Sequence, residues 1–239
     1  MITTLEKQPK LSLVELIKAA DARLEGHFAS KLQVNRDLKR TLVSFQANKR
    51  EPGFRWFKYK EGFSSALVDY VFDTCRVTSG KIIDPFAGSG AALFVASRRG
   101  LDSVGIELLP IGCAIIKARE AALSDHSKVV HALKKWKTSN HWMESRQPGI
   151  PFPHLGITNG AFPSRNEALL GKYLRAVAKL RDESLKTVLQ AAALAVLEDI
   201  SFTRKDGQYL RWDYRSGRRQ GVTPFNKGAI KDFDVAIRQ

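Results

Sequence analysis

An α/β fold built around a parallel sheet is predicted by three features of this sequence. A short apolar run, Ile82-Ile83, ends on Asp84 and leads at once into a Gly88-Ser89-Gly90 turn and an apolar helical pattern. A second strand pattern, Ser103-Val104-Gly105-Ile106-Glu107, returns after the interval that a strand–helix–strand crossover requires. The rest of the chain reads as helices joined by irregular connections, not as further long strands. The 239 residues suit one domain with accessory segments. Composition divides them into an N-terminal helical segment (1–50), an α/β core (51–140) and a helical, basic segment (141–239).

The elements follow in order. Residues 11–38 carry Leu13, Leu16, Ile17, Ala20 and Leu24 at the spacing of one helical face, with Ser12 as N-cap and Glu15 completing a capping box. An aromatic-basic stretch over 50–60 leads to a helix over 64–75. Ile82 and Ile83 are β-branched, as a buried parallel strand requires. Residues 91–99 form the crossover helix. A second helix is predicted over 109–130, with Pro110 in its first turn. Residues 139–165 hold Pro, Gly and Asn and read as an irregular connection. Residues 166–200 give two helices divided near Arg181-Asp182, the second well buried through Ala191-Ala192-Ala193. Asp206-Gly207 suggests a hairpin turn, and a last helix pattern starts near Lys227 with Ile230, Phe233 and Ile237.

Bulk properties narrow the functional classes. A formal net charge of +15 favours a polyanionic partner. The longest apolar run, near 191–197, is too short to span a bilayer, and no secretory signal pattern opens the chain, so a cytoplasmic location is expected. Cys75 and Cys113 are the two cysteines and read as small buried apolar residues. The histidines are scattered, and no metal site is expected.

The turn itself carries chemistry. Asp84 lies at the strand's C-terminal end, where open α/β sheets place their ligands. Gly88 and Gly90 let the backbone approach a ligand, and the following helix offers unpaired N–H groups. Glu107, an acid ending the second strand, matches the way nucleotide-binding sheets hold a ribose diol. The dinucleotide fingerprint fits poorly, because position 93 is Leu, and the lysine of a phosphate-binding loop is absent. Asp84 before the turn suits a cationic group rather than a diphosphate.

"DPFAGSG" (84–90) followed by "GIE" (105–107) resembles the cofactor motifs of amino-group DNA methyltransferases, which methylate adenine N6 or cytosine N4. "FKYKEGFS" (57–64) is similar to the segment that closes over the methionine end of the cofactor in that family. The resemblance is strongest over 56–118 and implies a Rossmann-like fold that binds S-adenosyl-L-methionine. It places Asp84, Phe86, Gly88 and Gly90 along the cofactor and Glu107 on the ribose. Tyr59, Lys60, Phe63 and Ser64 would approach the methionine carboxylate. Ala91 stands where the family usually has Thr.

The family frees the target nitrogen's lone pair with a polar residue, then Pro-Pro, then an aromatic residue that stacks on the flipped base. No Pro-Pro occurs in this chain; "IPFPHL" and "FPSRN" lack the required order. No catalytic residue is therefore assigned. The chain resembles the N-terminal, cofactor-binding half of such an enzyme, with the catalytic motif on a second subunit or a missing segment. It is expected to be inactive alone, and its partner is expected to dock on the sheet edge and the final helix. The resemblance further implies DNA as partner and a bacterial or phage restriction-modification or defence system. A tRNA methyltransferase of similar fold and a non-catalytic DNA-binding module are the alternatives.

In the basic segment over 203–221, Arg204, Lys205, Arg211, Arg215, Arg218 and Arg219 alternate with Tyr209, Trp212 and Tyr214. Arginines reach phosphates and aromatic rings stack on bases, so the six cations and Trp212 are the expected nucleic-acid contacts.

Overall fold

The computed structural model describes residues 12–31, 35–59, 62–139, 141–206 and 209–239. These fall into two units, one up to Lys39 and one from Arg40 to Gln239. In the first, helix α1 (Leu13–Phe28) starts at Ser12, whose side chain accepts from Glu15 N while the Glu15 carboxylate accepts from Ser12 N, the expected capping box. The helix stops ten residues short of the predicted end, closing where Ala29 N–H donates to the carbonyl of Gly26, a poor helix former.

The second unit holds the elements that build the site. After the short helix α2 (Arg40–Val43) and two 3₁₀ turns (Phe45–Lys49 and Phe54–Trp56), helix α3 spans Ser65–Thr74. Strand β1 (Lys81–Asp84) then passes through helix α4 (Ala91–Arg98) into β2 (Asp102–Gly105). The strands pair in parallel, Lys81 opposite Asp102 and Asp84 opposite Gly105. Helices α3 and α4 cover one face, where Val68, Phe72, Ala92, Val95 and Ala96 are buried against Phe54 and Ile82.

The other face is bare. Ile83 and its register partner Val104 are 67% and 47% exposed. This corrects the expectation of a strand buried on both sides: among the described residues, helices cover the Ile82 face and leave the Ile83 face bare. Parallel sheets are ordinarily covered on both faces.

Helix α5 (Pro110–Ser124) begins at the expected proline but ends at Asp125, whose non-helical backbone (φ −126°, ψ 43°) precedes helix α6 (His126–Thr138), so the single predicted helix is two. A short helix α7 (His141–Glu144) interrupts the irregular connection. Helices α8 (Ser164–Ala178) and α9 (Glu183–Val196) divide where the sequence predicts, with Asp182 accepting from Leu185 N as the cap of α9. Ala191 and Ala193 are buried, and Ala191 packs with Ile115 and Ala118 of α5. Strands β3 (Thr203–Asp206) and β4 (Tyr209–Trp212) form the expected antiparallel hairpin; Gly207 of its turn lies outside the described residues.

The final helix α10 covers only Phe233–Ala236. Helix cannot start at Lys227, because its N–H is held by Asp213 Oδ2 at 2.7 Å and Gly228 has a left-handed φ of 88°. Phe233 is fully buried in a core of edge-to-face rings, 5.7 Å from Trp142 and 5.5 Å from Tyr173. The expectation that Phe233 serves as a docking residue is therefore corrected: an acid there would break the chain's own helical core. Cys75 is exposed and Cys113 only half-buried, against the expectation for both. Among the described residues no helix is long and apolar enough to cross a membrane.

Candidate functional site

A parallel pair joined by a crossover ends both strands on the same side. Asp84 and Glu107 therefore meet beyond the C-terminal ends of β1 and β2. The ladder continues past the strands: Ile106 N–H donates to the Asp84 carbonyl, and Ala87 N–H donates to the Ile106 carbonyl, both at 2.9 Å. These two bonds tie the glycine turn to the Glu107 strand.

Within the turn, Gly88 and Gly90 have φ of 54° and 84°, which glycine adopts without strain. Gly90 is the N-cap of α4 and provides no side-chain cap, so the first N–H groups of the helix stay available. A side chain at Gly88 would press on the Tyr59 ring at 3.2 Å, and one at Gly112 would strike the Gly88 carbonyl at 2.5 Å.

The resulting cavity has a volume of about 480 Å³, within the ~300–1,000 Å³ range of small-molecule sites. Its walls are Tyr59, Phe63, Phe86, the 87–89 turn, and the segment from Ile106 to Leu109 with Glu107. Glu107 Oε1 accepts from Leu109 N–H at 2.6 Å, which fixes the carboxylate and leaves Oε2 for a ligand. Asp84 Oδ1 accepts from Phe86 N–H at 3.0 Å, while its Oδ2 is buried with no partner among the described residues. A buried carboxylate oxygen without a donor is rare and marks a place for a donor or cation.

Of the nine residues expected at the cofactor, Tyr59, Phe63, Phe86, Gly88 and Glu107 line this cavity. Asp84 and Gly90 stand behind its wall as the turn's first and last members. Ser64 does not face it: this fully buried hydroxyl caps α3 by accepting from Leu67 N–H and donates to the Leu42 carbonyl. Lys60 lies outside the described residues.

Two supporting residues escape sequence reasoning because neither belongs to a motif. Asn48 is buried; its amide donates to the Phe63 carbonyl at 3.1 Å and accepts from Ser65 N–H at 2.9 Å, pinning the closing segment. Arg119 of α5 is only 3% exposed and has no carboxylate partner among the described residues. Its guanidinium donates to the carbonyls of Gly53, Phe54 and Ser89, and lies over the rings of Phe54 and Phe94 at 4.7 and 5.7 Å. Burial draws its pKa down to about 10, so it stays charged at neutral pH. Arg119 thus holds the glycine turn against the 53–54 segment.

The hairpin spends much of its charge internally. Asp213 is buried and accepts from Arg215 Nε at 2.6 Å and Nη2 at 2.9 Å, as well as from Lys227 N–H. Arg215 Nη2 also donates to the Gly228 carbonyl at 2.6 Å. Arg218 stacks on Trp212 at 3.6 Å and donates to the carbonyls of Gly156 and Asn159. Arg211 lies over Phe225 at 4.2 Å and pairs with Asp206 at 3.3 Å. Arg204, Lys205 and Arg219 are exposed, as is Tyr209.

No protein-family model matches the chain, and no solved structure matches it. Curated relatives do match. The chain is 41% identical over 230 residues to the type II methyltransferase M.AvaI of Nostoc sp., covering 95% of this chain and 47% of that protein. It is 35% identical over 221 residues to the type II methyltransferase M.BsoBI of Geobacillus stearothermophilus, covering 90% of this chain and 42% of that protein. A shorter stretch of 46 residues, 19% of this chain and 15% of that protein, is 44% identical to the type II methyltransferase M.ScaI of Streptomyces caespitosus. The chain thus spans about half the length of the long-matching relatives.

Two predictions follow from these contacts. Replacing Arg119 with Met leaves three carbonyls without its donors, those of Phe54 and Ser89 buried and that of Gly53 partly so, and should cost about 3 kcal/mol in a denaturant titration. Arg119→Lys should recover only part of this, because one ammonium cannot reproduce the planar fork. The second concerns acid. Hydrogen bonds from Arg215 hold the Asp213 carboxyl well below the usual carboxylate range. A depressed acid stabilises the fold above its unfolded pKa of ~3.9 and loses that contribution as pH falls. Hydrogen exchange over 214–228 should therefore rise as pH drops below about 4, and Asp213→Asn should show the open pattern at neutral pH.

Over nine tenths or more of its length, and with a ligand-sized cavity at its glycine turn, this chain is similar to about half of each of two type II methyltransferases.

Proposed function

We propose that this chain is the cofactor-binding part of an S-adenosylmethionine-dependent DNA methyltransferase that acts on an exocyclic amine, adenine N6 or cytosine N4. In this reading it completes a Rossmann-like domain with a complementary polypeptide segment, carried on a second chain or elsewhere in a longer one. The observation that carries the reading is the cavity in which Glu107, the 87–89 turn, Tyr59 and Phe63 converge beyond the ends of β1 and β2.

The residues fit the cofactor. Glu107 would accept from the ribose hydroxyls, and the free N–H groups of α4 would face the methionine carboxylate. Asp84 Oδ2, buried and unpartnered, would balance the cationic methionine end. Phe63 and Tyr59 would close the cavity and exclude water. The bound cofactor supplies an electrophilic methyl group; this chain's share of the work is to hold and orient its donor.

DNA contact falls to the hairpin. With Arg215 and Arg218 engaged inside the chain, the exposed Arg204 and Arg219 are the best placed for phosphates, with the exposed Arg211 and the half-buried Trp212 beside them. A place in a restriction-modification system agrees with the type II relatives.

The bare sheet face supports the need for a complement. Besides Ile83 and Val104, it is flanked by Phe86 and Leu108, 87% and 91% exposed. Covering such a patch would bury apolar area at about 25 cal/mol per Å².

Calorimetric titration with S-adenosylmethionine tests the cofactor assignment. Glu107→Ala should weaken binding roughly 10- to 100-fold, the loss of charge-assisted hydrogen bonds; unchanged affinity removes the ribose role. The complement is tested separately. The single chain should transfer no labelled methyl group to DNA, and adding a polypeptide with an acceptor-Pro-Pro-aromatic motif should restore transfer. Ile83→Glu should block that restoration while changing the isolated chain's stability by no more than about 0.5 kcal/mol, as for a surface position. Transfer by the purified chain alone overturns this part of the reading.

A further inference from the structure

Away from the cofactor cavity and the hairpin, helix α8 presents Lys172, Arg175 and Lys179 to a second hollow. These residues, three and four apart, share one face of the helix and span about 10 Å along its axis. The loop after α7 closes the other side through Ser145 and Gln147, over a floor formed by buried Trp142. The hollow is about 240 Å³, below the ~300–1,000 Å³ typical of whole small-molecule sites and suited to a single compact group.

Its charge is one-sided. No carboxylate lines it. Elsewhere Arg98, Arg99, Lys128 and Arg165 each pair with an acid. Here every partner among the described residues is neutral: Lys172 Nζ donates to the Met143 carbonyl at 3.3 Å, Arg175 Nη2 to the Gly149 carbonyl at 3.3 Å, and Lys179 Nζ to Gln147 Oε1 at 2.8 Å. Arg175 Nε is buried and has no acceptor among the described residues.

The C-terminal dipole of α8 favours cations in its last turn. It does not relieve three like charges around one hollow. A buried donor without a partner costs about 1–3 kcal/mol. An anion with several acceptor oxygens would neutralise the cluster, accepting from the two ammonium groups and the terminal nitrogens of the Arg175 guanidinium.

We propose that the hollow between α8 and the 145–149 loop is a phosphate-binding site, formed by Lys172, Arg175 and Lys179 with the Gln147 amide. The phosphate comes either from the backbone of a nucleic acid or from free phosphate in solution. The site is independent of the cofactor cavity, and its ligand chemistry does not depend on methyl transfer.

The test uses the full chain with two probes. In the first, inorganic phosphate is titrated while amide NMR signals of residues 145–149 and 172–180 are followed, with matched chloride as control. Selective, saturable shifts in these signals, lost in the Lys172→Gln/Lys179→Gln double variant, support the site. Shifts that chloride reproduces, or no shifts, overturn it. The second probe is a duplex DNA in a salt titration. If the phosphate is a backbone phosphate, the slope of log affinity against log salt falls by about 0.9 per lost contact in the double variant. If the slope is unchanged while inorganic phosphate still binds, the site takes free phosphate. Arg204→Ala/Arg219→Ala, tested in parallel, reports on hairpin contacts alone, so failure of the hairpin reading is distinguishable from failure of this one.

Discussion

Everything at the cavity depends on one constraint: two parallel strands cannot be joined by a tight turn and must cross over through a helix. That crossover puts the ends of β1 and β2 side by side, so that Glu107, on the cavity wall, and Asp84, behind it at the start of the glycine turn, come to the same end of the sheet although 23 positions apart in sequence. It also points the start of α4 at that opening, with Gly90 as a cap that leaves its N–H groups unclaimed. The ladder bonds of Ile106 hold turn and strand in register. The same crossover explains the bare face. A helix linking parallel strands covers one side of a sheet, and here α3 joins it there, leaving Ile83 and Val104 uncovered.

The irregular segments are ordered by buried polar side chains instead of by further sheet. Backbone groups removed from water must find partners, and in this chain a few side chains provide several at once. Asn48 ties the closing segment, Arg119 ties three carbonyls around the glycine turn, and Asp213 gathers the loop that follows the hairpin. Asn166 does the same in the helical core, donating to the carbonyls of Ile200 and Lys231 and accepting from Phe233 N–H. Each is a point where one substitution loosens residues distant in sequence.

The charge surplus is also distributed unevenly. The arginine-aromatic alternation of the hairpin has the composition of a base-stacking platform, yet Arg218 covers Trp212 and Arg211 covers Phe225 within the chain. Cations set over rings in this way stiffen the hairpin and narrow the groups left to meet a polyanion. Around α8 the opposite holds: among the described residues, three cations meet neutral groups.

The sequence by itself determined the strand–turn–helix–strand unit, the glycine positions and the acid at the end of β2, because each follows from local backbone chemistry within a few residues. It likewise determined the capping box at Ser12, the Pro110 start of α5, the break before α9 and the β3–β4 hairpin. Only the tertiary structure decided which face of β1 is covered, since alternation cannot say whether a helix arrives to bury Ile83. It turned Ser64 from an expected ligand contact into a helix cap, and Phe233 from an expected docking residue into core. It also made Arg119 and Asn48 supports of the cavity, through partners up to 66 positions away for Arg119 and 17 for Asn48. Such long-range pairings leave no periodic or motif signal, because what selects the residue is the set of backbone groups the fold brings to it.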